Sequence, residues 1–243
     1  MPAVREGDDV SRLVGDAIEA ADIAPAEFDV VVVTQKIVSK AEGRRVRLSD
    51  VEPSPRALEL AASLDKDARM IEVVLGESNA IVAHGHGVLI AEHRSGHVMA
   101  NAGVDRSNVG RPGDDEEVLL LPCDPDASAA ALHRALEARF GCRLAMIVSD
   151  SAGRAWRHGV AGIAIGAAGL PSLVDLRGAP DLFDVPLKVT LAGFADQIAS
   201  AANLVAGEAA EGVPAVHVRG LAWDAAPAPA RALVRDRESD LFR

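Results

Sequence analysis

The pattern of apolar and polar positions divides the chain into segments of two different periods. Apolar residues at Val10, Leu13, Val14, Ala17, Ile18 and Ala21 recur at helical spacing just after Asp8 and Asp9. Either carboxylate can accept from the free amides of a first turn, so a helix is predicted there. Residues 28–33 include four consecutive valines, which suit a strand covered on both faces. The end of that strand carries Thr34, Gln35 and Lys36. A short helical pattern occupies residues 56–64. Residues 70–75, 80–83, 88–91 and 97–100 then read as strands separated by glycine and polar turns, as in an antiparallel meander.

In the second half, residues 118–121 read as a strand. Residues 126–140 read as a helix, with Ala129, Leu132, Leu136 and Phe140 as its buried positions. Residues 144–148 form another apolar strand, ending at Ser149-Asp150-Ser151. The Gly- and Ala-rich stretch 159–170 reads as a strand and turn in which backbones pack closely. Residues 194–205 should be helical through Ile198, Ala201, Ala202 and Val205, with Gly207 ending the helix and Glu208 just beyond it. Residues 225–230 alternate Ala and Pro and read as a linker or extended arm ahead of a charged end at 231–243. The pattern contains no internal repeat.

Composition narrows the functional classes. At 243 residues the chain can bury a sizeable core, and its 49% hydrophobic and 25% charged residues match an ordinary folded protein. A net charge of −11 repels nucleic acid and anionic lipid, and a chain without tyrosine has few platforms on which bases could stack. Cys123 and Cys142 are too far apart in sequence for a short-spaced zinc motif and too few for a disulfide scaffold, which fits a reducing cytoplasm. No apolar run reaches membrane length and the N-terminus lacks a signal pattern, so no membrane partner is expected. An anionic substrate would need a local device, either clustered Arg and Lys or a metal ion bridging carboxylates to phosphates.

Three segments could supply it. Asn101-Ala102-Gly103-Val104-Asp105-Arg106-Ser107-Asn108 gathers hard oxygen ligands in one glycine-containing turn, or else is an Asx turn bonding its own backbone. Ser149-Asp150-Ser151-Ala152-Gly153-Arg154-Ala155-Trp156-Arg157 joins a carboxylate to two arginines suited to bidentate contact with phosphate or carboxylate. Its plainer alternative is an Arg–Asp bridge closing a turn over a core tryptophan. Thr34–Arg44 holds Gln35, Lys36 and Lys40 after a strand, without the glycine spacing of a Walker A loop, and could equally be a solvated charged turn. His84 and His86 face one side if the strand spans both, and with His93 they make no convincing zinc set.

In order along the chain, REGDD, VVVTQKIVSKAEGR, NAGVDRSN, LLLPCDPDASA, SDSAGRAWRHGVAGIAIGAAG, DLRGAPD and ADQIASAANLVAGEAAEGVP resemble the coenzyme F420-0:L-glutamate ligase family over nearly the whole length. The resemblance implies an α+β fold particular to that family, with mixed and antiparallel sheets, flanking helices and an intertwined homodimer, spanning residues 1–243 as one ligase domain. Members begin with a further strand and a Gly-Leu-Pro-Glu-Ile-like segment, so the first strand is expected to be missing here. In two-domain relatives a flavin-binding, nitroreductase-like domain follows the ligase part.

The implied activity is addition of L-glutamate to F420-0, and of γ-linked glutamates to F420-1, driven by GTP. Mg²⁺ or Mn²⁺ is the implied metal, with K⁺ as a candidate third ion. Asp105, Asp150, Ser151 and Glu208 fall at the family's metal positions. Gln35, Lys40, Asn108 and the stretch Ala206, Gly207, Glu208, Ala209, Ala210, Glu211, Gly212, Val213 fall at its nucleotide contacts. Asp105 and Asp150 are thus the candidate catalytic carboxylates. Arg154 and Arg157 join them as candidates for the substrate's anionic groups, from residue type alone. A ligase acting on another carboxylate and a nucleotide-binding module without turnover stay open as alternatives.

Overall fold

The computed structural model describes residues 1–109 and 116–242. Its elements in chain order are α1 (Val10–Ala20), β1 (Asp29–Thr34), α2 (Gln35–Ala41), β2 (Arg45–Arg47), α3 (Pro55–Leu64), α4 (Ala68–Gly76), β3 (Ser78–Gly85), β4 (Val88–His93), β5 (Val98–Ala100) and β6 (Glu117–Leu119). They continue with α5 (Pro125–Phe140), β7 (Leu144–Arg154), β8 (Arg157–Ala168), β9 (Val174–Asp175), β10 (Leu191–Ala192), α6 (Phe194–Ala206) and β11 (Ala215–Val218). The architecture is mixed α+β with several small sheets, and no helix among the described residues is long and apolar enough to cross a membrane.

The central sheet has the order β11-β1-β7-β8, with β1 parallel to β7 and the outer pairs antiparallel. The valines of β1 are buried on both faces, as the run of four predicts. One face packs with α1 and α5 through Val14, Val31, Val33, Leu136 and Met146; the other packs with α6 through Val30, Val32, Ile147, Ala199 and Ala202. A third core, around Leu48, Leu60, Ile71 and Leu89, joins α3 and α4 to the β3-β4-β5 meander.

α1 begins where Asp9 accepts from Arg12 N at 3.0 Å, while Asp8 instead accepts from Arg5 N. α6 ends at Gly207, whose φ of +75° is one that glycine reaches without a Cβ penalty.

Three sequence expectations differ from what forms. Residues 70–75 lie in α4 instead of a strand: Asp67 caps the helix, and Ile71 and Val74 bury one face at i,i+3 spacing. His86 lies past the end of β3 in a left-handed turn at φ +50°, so it does not share a strand face with His84. β7 does not stop at Val148 but runs to Arg154 in a long hairpin with β8.

β1 and β11 are clamped by Asp29. Its carboxylate, 1% exposed, accepts from Ala26 N, His217 Nε2 and twice from Arg219 at 2.7–2.9 Å. Burial alone would raise its pKa, but the Arg219 and His217 hydrogen bonds outweigh that and hold it far below the usual carboxylate range. The stability this group contributes is therefore present above the unfolded value near pH ~4 and is lost only as pH falls toward the depressed one. Asp29→Ala should cost about 3 kcal/mol at pH 7, read as a lowered urea midpoint, because it strands a buried amide and imidazole.

At the C-terminal end, Ala228 N donates to Leu170 O. Ala230 N and Arg231 Nε reach Asp126, and Arg237 pairs with Glu92 at 2.7 Å. Residues 228–237 are thereby docked on the body.

Candidate active site

The site opens where β1 ends and β7 continues. Thr34 pairs with Ser149 as the last residue of the parallel ladder, after which the chain of β1 turns into α2. From Asp150 onward β7 has no strand partner on that side among the described residues, and a cleft forms at the carboxyl end of the parallel pair, where α/β sheets bind ligands. Its volume is about 760 Å³.

Four segments far apart in sequence converge on this cleft. Gln35, Lys36 and Lys40 come from α2; Asp105, Ser107 and Asn108 from the turn after β5; Ser149 to Gly153 from β7; and residues 206–213 from the end of α6 and the loop after it. Of the residues singled out from the sequence, Gln35, Lys40, Asn108, Asp105, Asp150, Ser151, Glu208 and the whole 206–213 stretch line it.

Arg154 and Arg157 do not. The extended β7–β8 hairpin carries both to its exposed tip, where Arg154 Nη2 donates to His158 O at 3.1 Å. The ion pair of the Asp105 and Asp150 cluster is made by Lys36 and not by either arginine, and Trp156 is 81% exposed instead of filling a core.

The turn before Asp105 is left-handed at Asn101, Ala102 and Gly103, with φ of 52°, 51° and 74°. Two non-glycine residues in that region cost energy that persists only where surrounding packing imposes it. Asp105 does form an Asx turn, accepting from Ser107 N at 2.7 Å and Ser107 Oγ at 2.9 Å, and it faces the cleft as well.

Lys36 Nζ reaches Asp105 Oδ2 at 2.8 Å and Ser107 Oγ at 2.6 Å. Burial would raise the Asp105 pKa, but Lys36 and Ser107 together bring it below the ordinary value. Lys40 donates to Asn108 O at 2.7 Å, and its own pKa is lowered by burial and then by the nearby charges of Arg45 and Lys36. Asp150 behaves oppositely. Burial, reinforced by the Asp105 charge, pushes it up to about 6 against the Ser151 amide and Lys36. Gln35 is 1% exposed; Ser39 donates to its Oε1, while its Nε2 lies near Asp150 without reaching hydrogen-bond geometry. Across the cleft, Glu208 accepts from Ser151 Oγ at 2.8 and 2.9 Å and from Asn203 Nδ2 at 2.6 Å.

Among the described residues no three acidic, His or Cys side chains close into a ready-made metal cage. The donors present are nonetheless hard oxygens in two small sets, Asp105 with Asp150 and Ser151 with Glu208. The first set holds a carboxyl, Asp150, whose ionisation is opposed by burial and by the neighbouring Asp105 charge. That arrangement suits Mg²⁺ or Mn²⁺, which take one or two carboxylates and complete their shell with water and substrate phosphate. Lys36 and Ser107 lie in two of the segments singled out from the sequence, but their pairing with each other comes from a contact across the fold; Asn203, which donates to Glu208, is the cleft residue that sequence reading missed.

The family model described as F420-0:Gamma-glutamyl ligase matches residues 1–220. The Coenzyme F420:L-glutamate ligase of Methanopyrus kandleri is 45% identical over 99% of this chain and 93% of its own. Those of Methanothermobacter thermautotrophicus and Archaeoglobus fulgidus are 42% and 39% identical, each over 100% of this chain and over 96% and 93% of their own lengths. The chain therefore belongs to the F420-0:gamma-glutamyl ligase family.

Proposed function

We propose that this protein is a GTP- and divalent-metal-dependent ligase that joins L-glutamate to the lactyl carboxylate of F420-0, and further γ-linked glutamates to F420-1. The observation that carries this reading is the meeting of two lysines, two interacting carboxylates and the 206–213 loop in one cleft, in a chain alike end to end to named F420:L-glutamate ligases.

The chemistry rests on the leaving group. A carboxylate does not yield to an amine, so its oxygen first attacks the γ-phosphorus of GTP, and GDP departs with the bridging electron pair. The glutamate nitrogen then attacks the acyl carbon, and phosphate leaves as the nitrogen's proton passes to a base or to water. Lys36 and Lys40 are positioned to meet phosphate oxygens, and Asn108 with the 206–213 loop to hold the remainder of the nucleotide. Asp105, Asp150, Ser151 and Glu208 would hold the metal, whose chemistry there is to neutralise charge on the phosphates and leaving oxygen. The cation offsets the −11 charge of the chain, which would otherwise repel three anionic substrates.

The test is GDP release from the purified protein over many turnovers: sustained release should require F420-0, L-glutamate and metal together and stop in excess chelator. A binding module without turnover releases none.

The reading includes a cytoplasmic location, supported by two cysteines without a partner, and a homodimer. Leu182, Phe183 and Val189, each more than 80% exposed, crowd the segment between β9 and β10, and Leu204 projects from α6 at 87%. Apolar groups this bare are usually covered by a partner. Light scattering after size exclusion should give about twice the 25.3 kDa chain mass at micromolar loading, and a monomeric mass in an active sample would remove the dimer from the account.

A further inference from the structure

The proposed ligase reading puts a divalent cation beside Asp105, and the role inferred below for Lys36 rests on that reading. In the structure the Asp105 carboxylate already has a cation. Lys36 Nζ sits 2.8 Å from Asp105 Oδ2 and donates to Ser107 Oγ at 2.6 Å, while Ser107 returns two hydrogen bonds to the same carboxylate. The arrangement is a closed ring of ammonium, hydroxyl and carboxylate, with each hydrogen bond used. The same ammonium also favours the ionised form of Asp150, so one lysine serves both carboxylates of the first donor set.

A divalent ion at contact distance from Asp105 would stand within a few ångströms of this ammonium, and like charges that close repel strongly in a half-buried site. Lys36 must therefore move before a metal can enter. Its four-carbon stem permits that, and with 26% and 34% of the two side chains exposed the ammonium is within reach of a competing anion. A triphosphate in this cleft is such an anion.

We propose that Lys36 is a placeholder cation: it pairs with the carboxylate that would take the metal and gives it up only when nucleotide phosphate draws its ammonium away, so that metal and nucleotide bind as one unit. Lys36 is on this account a positioning residue that makes metal affinity conditional on nucleotide.

The test reads metal binding, not turnover. Free Mn²⁺ is titrated by electron paramagnetic resonance against wild type, Lys36→Met, Lys36→Gln and Lys36→Arg, each with and without a non-hydrolysable GTP analogue. Without nucleotide, the Met and Gln variants should bind Mn²⁺ about tenfold more tightly than wild type, because one competing positive charge is gone, and Arg should stay at the wild-type value. Nucleotide should raise Mn²⁺ affinity more in wild type than in Lys36→Met. Equal or weaker nucleotide-free binding by both neutral variants, in a wild type that does bind Mn²⁺ with nucleotide, overturns the placeholder role alone. Absence of Mn²⁺ binding by wild type even with nucleotide overturns the ligase reading and this inference with it.

Discussion

Asp150→Asn is expected to lower turnover by about a thousandfold or more while leaving the metal-free protein at least as stable as wild type. The first half comes from charge: asparagine keeps the volume at the cleft floor but cannot offer an anionic oxygen to a cation, and loss of metal-borne charge neutralisation removes several kcal/mol from the transition state. The second half comes from the environment. Burial and the Asp105 charge raise the folded-state pKa of Asp150 to about 6. An acid raised in this way is harder to ionise when folded, so stability is fullest below the unfolded value near ~3.9 and declines as pH rises through about 6. Asparagine removes that decline. Melting metal-free samples at pH 5 and pH 8 should show wild type losing ground to the variant at the higher pH. Wild-type turnover at ordinary metal concentration, or a variant that melts well below wild type at both pH values, would contradict the assignment.

Gly166→Ala should be the most damaging glycine-to-alanine change among the described residues, costing about 3 kcal/mol or preventing folding altogether. A Cβ on Gly166 would overlap the Pro125 carbonyl, backbone that opens α5 and cannot step aside, because Asp126 is tied to Ala167 N and Ala230 N at 3.0 and 2.7 Å. Gly162 is similarly close to α6, with Ala199 O 2.5 Å from where a Cβ would sit. Gly76, at the end of α4, has nothing within 4 Å, and Gly76→Ala there should be neutral or slightly stabilising. Chemical denaturation of the two variants side by side separates a packing requirement from a general intolerance of alanine. An unchanged midpoint for Gly166→Ala would show that α5 can move.

This contrast also marks what the sequence could reveal. The small residues of 159–170 announce close backbone packing, and β8 carries them where α5 and α6 approach. The stripes of α1, α5 and α6 and the valines of β1 are equally plain, because period and burial coincide there. Residues 70–75 mislead because a short run of β-branched and apolar residues fits a strand as well as a buried helix; the Asp67 cap is the signal that separates them. α2 is hidden for a different reason. It spans only Gln35–Ala41, and beside the buried Ile37 and Val38 its inward residues include the polar pair Gln35 and Ser39, bonded to each other at 2.8 Å.

At the site, residue types mark Asp105 and Asp150 as candidate ligands and Lys36 as a candidate cation, but the pairing of Lys36 with Asp105 is set by tertiary contact and has no local signature. Small polar residues of SDSAG look like a strand end, and that appearance makes Arg154 and Arg157 candidates for the cleft. The strand in fact runs on and carries them away from it.

The most direct measurement is mass spectrometry of F420-0 after incubation with the purified protein, GTP, L-glutamate and Mg²⁺ or Mn²⁺. The account predicts a product heavier by one glutamyl residue, followed by species carrying more, formed only when nucleotide and metal are both present and matched by an equal yield of GDP. Unaltered F420-0 under conditions in which the protein is folded and binds nucleotide would contradict it, and glutamylation that proceeds in excess chelator would contradict its metal-dependent mechanism.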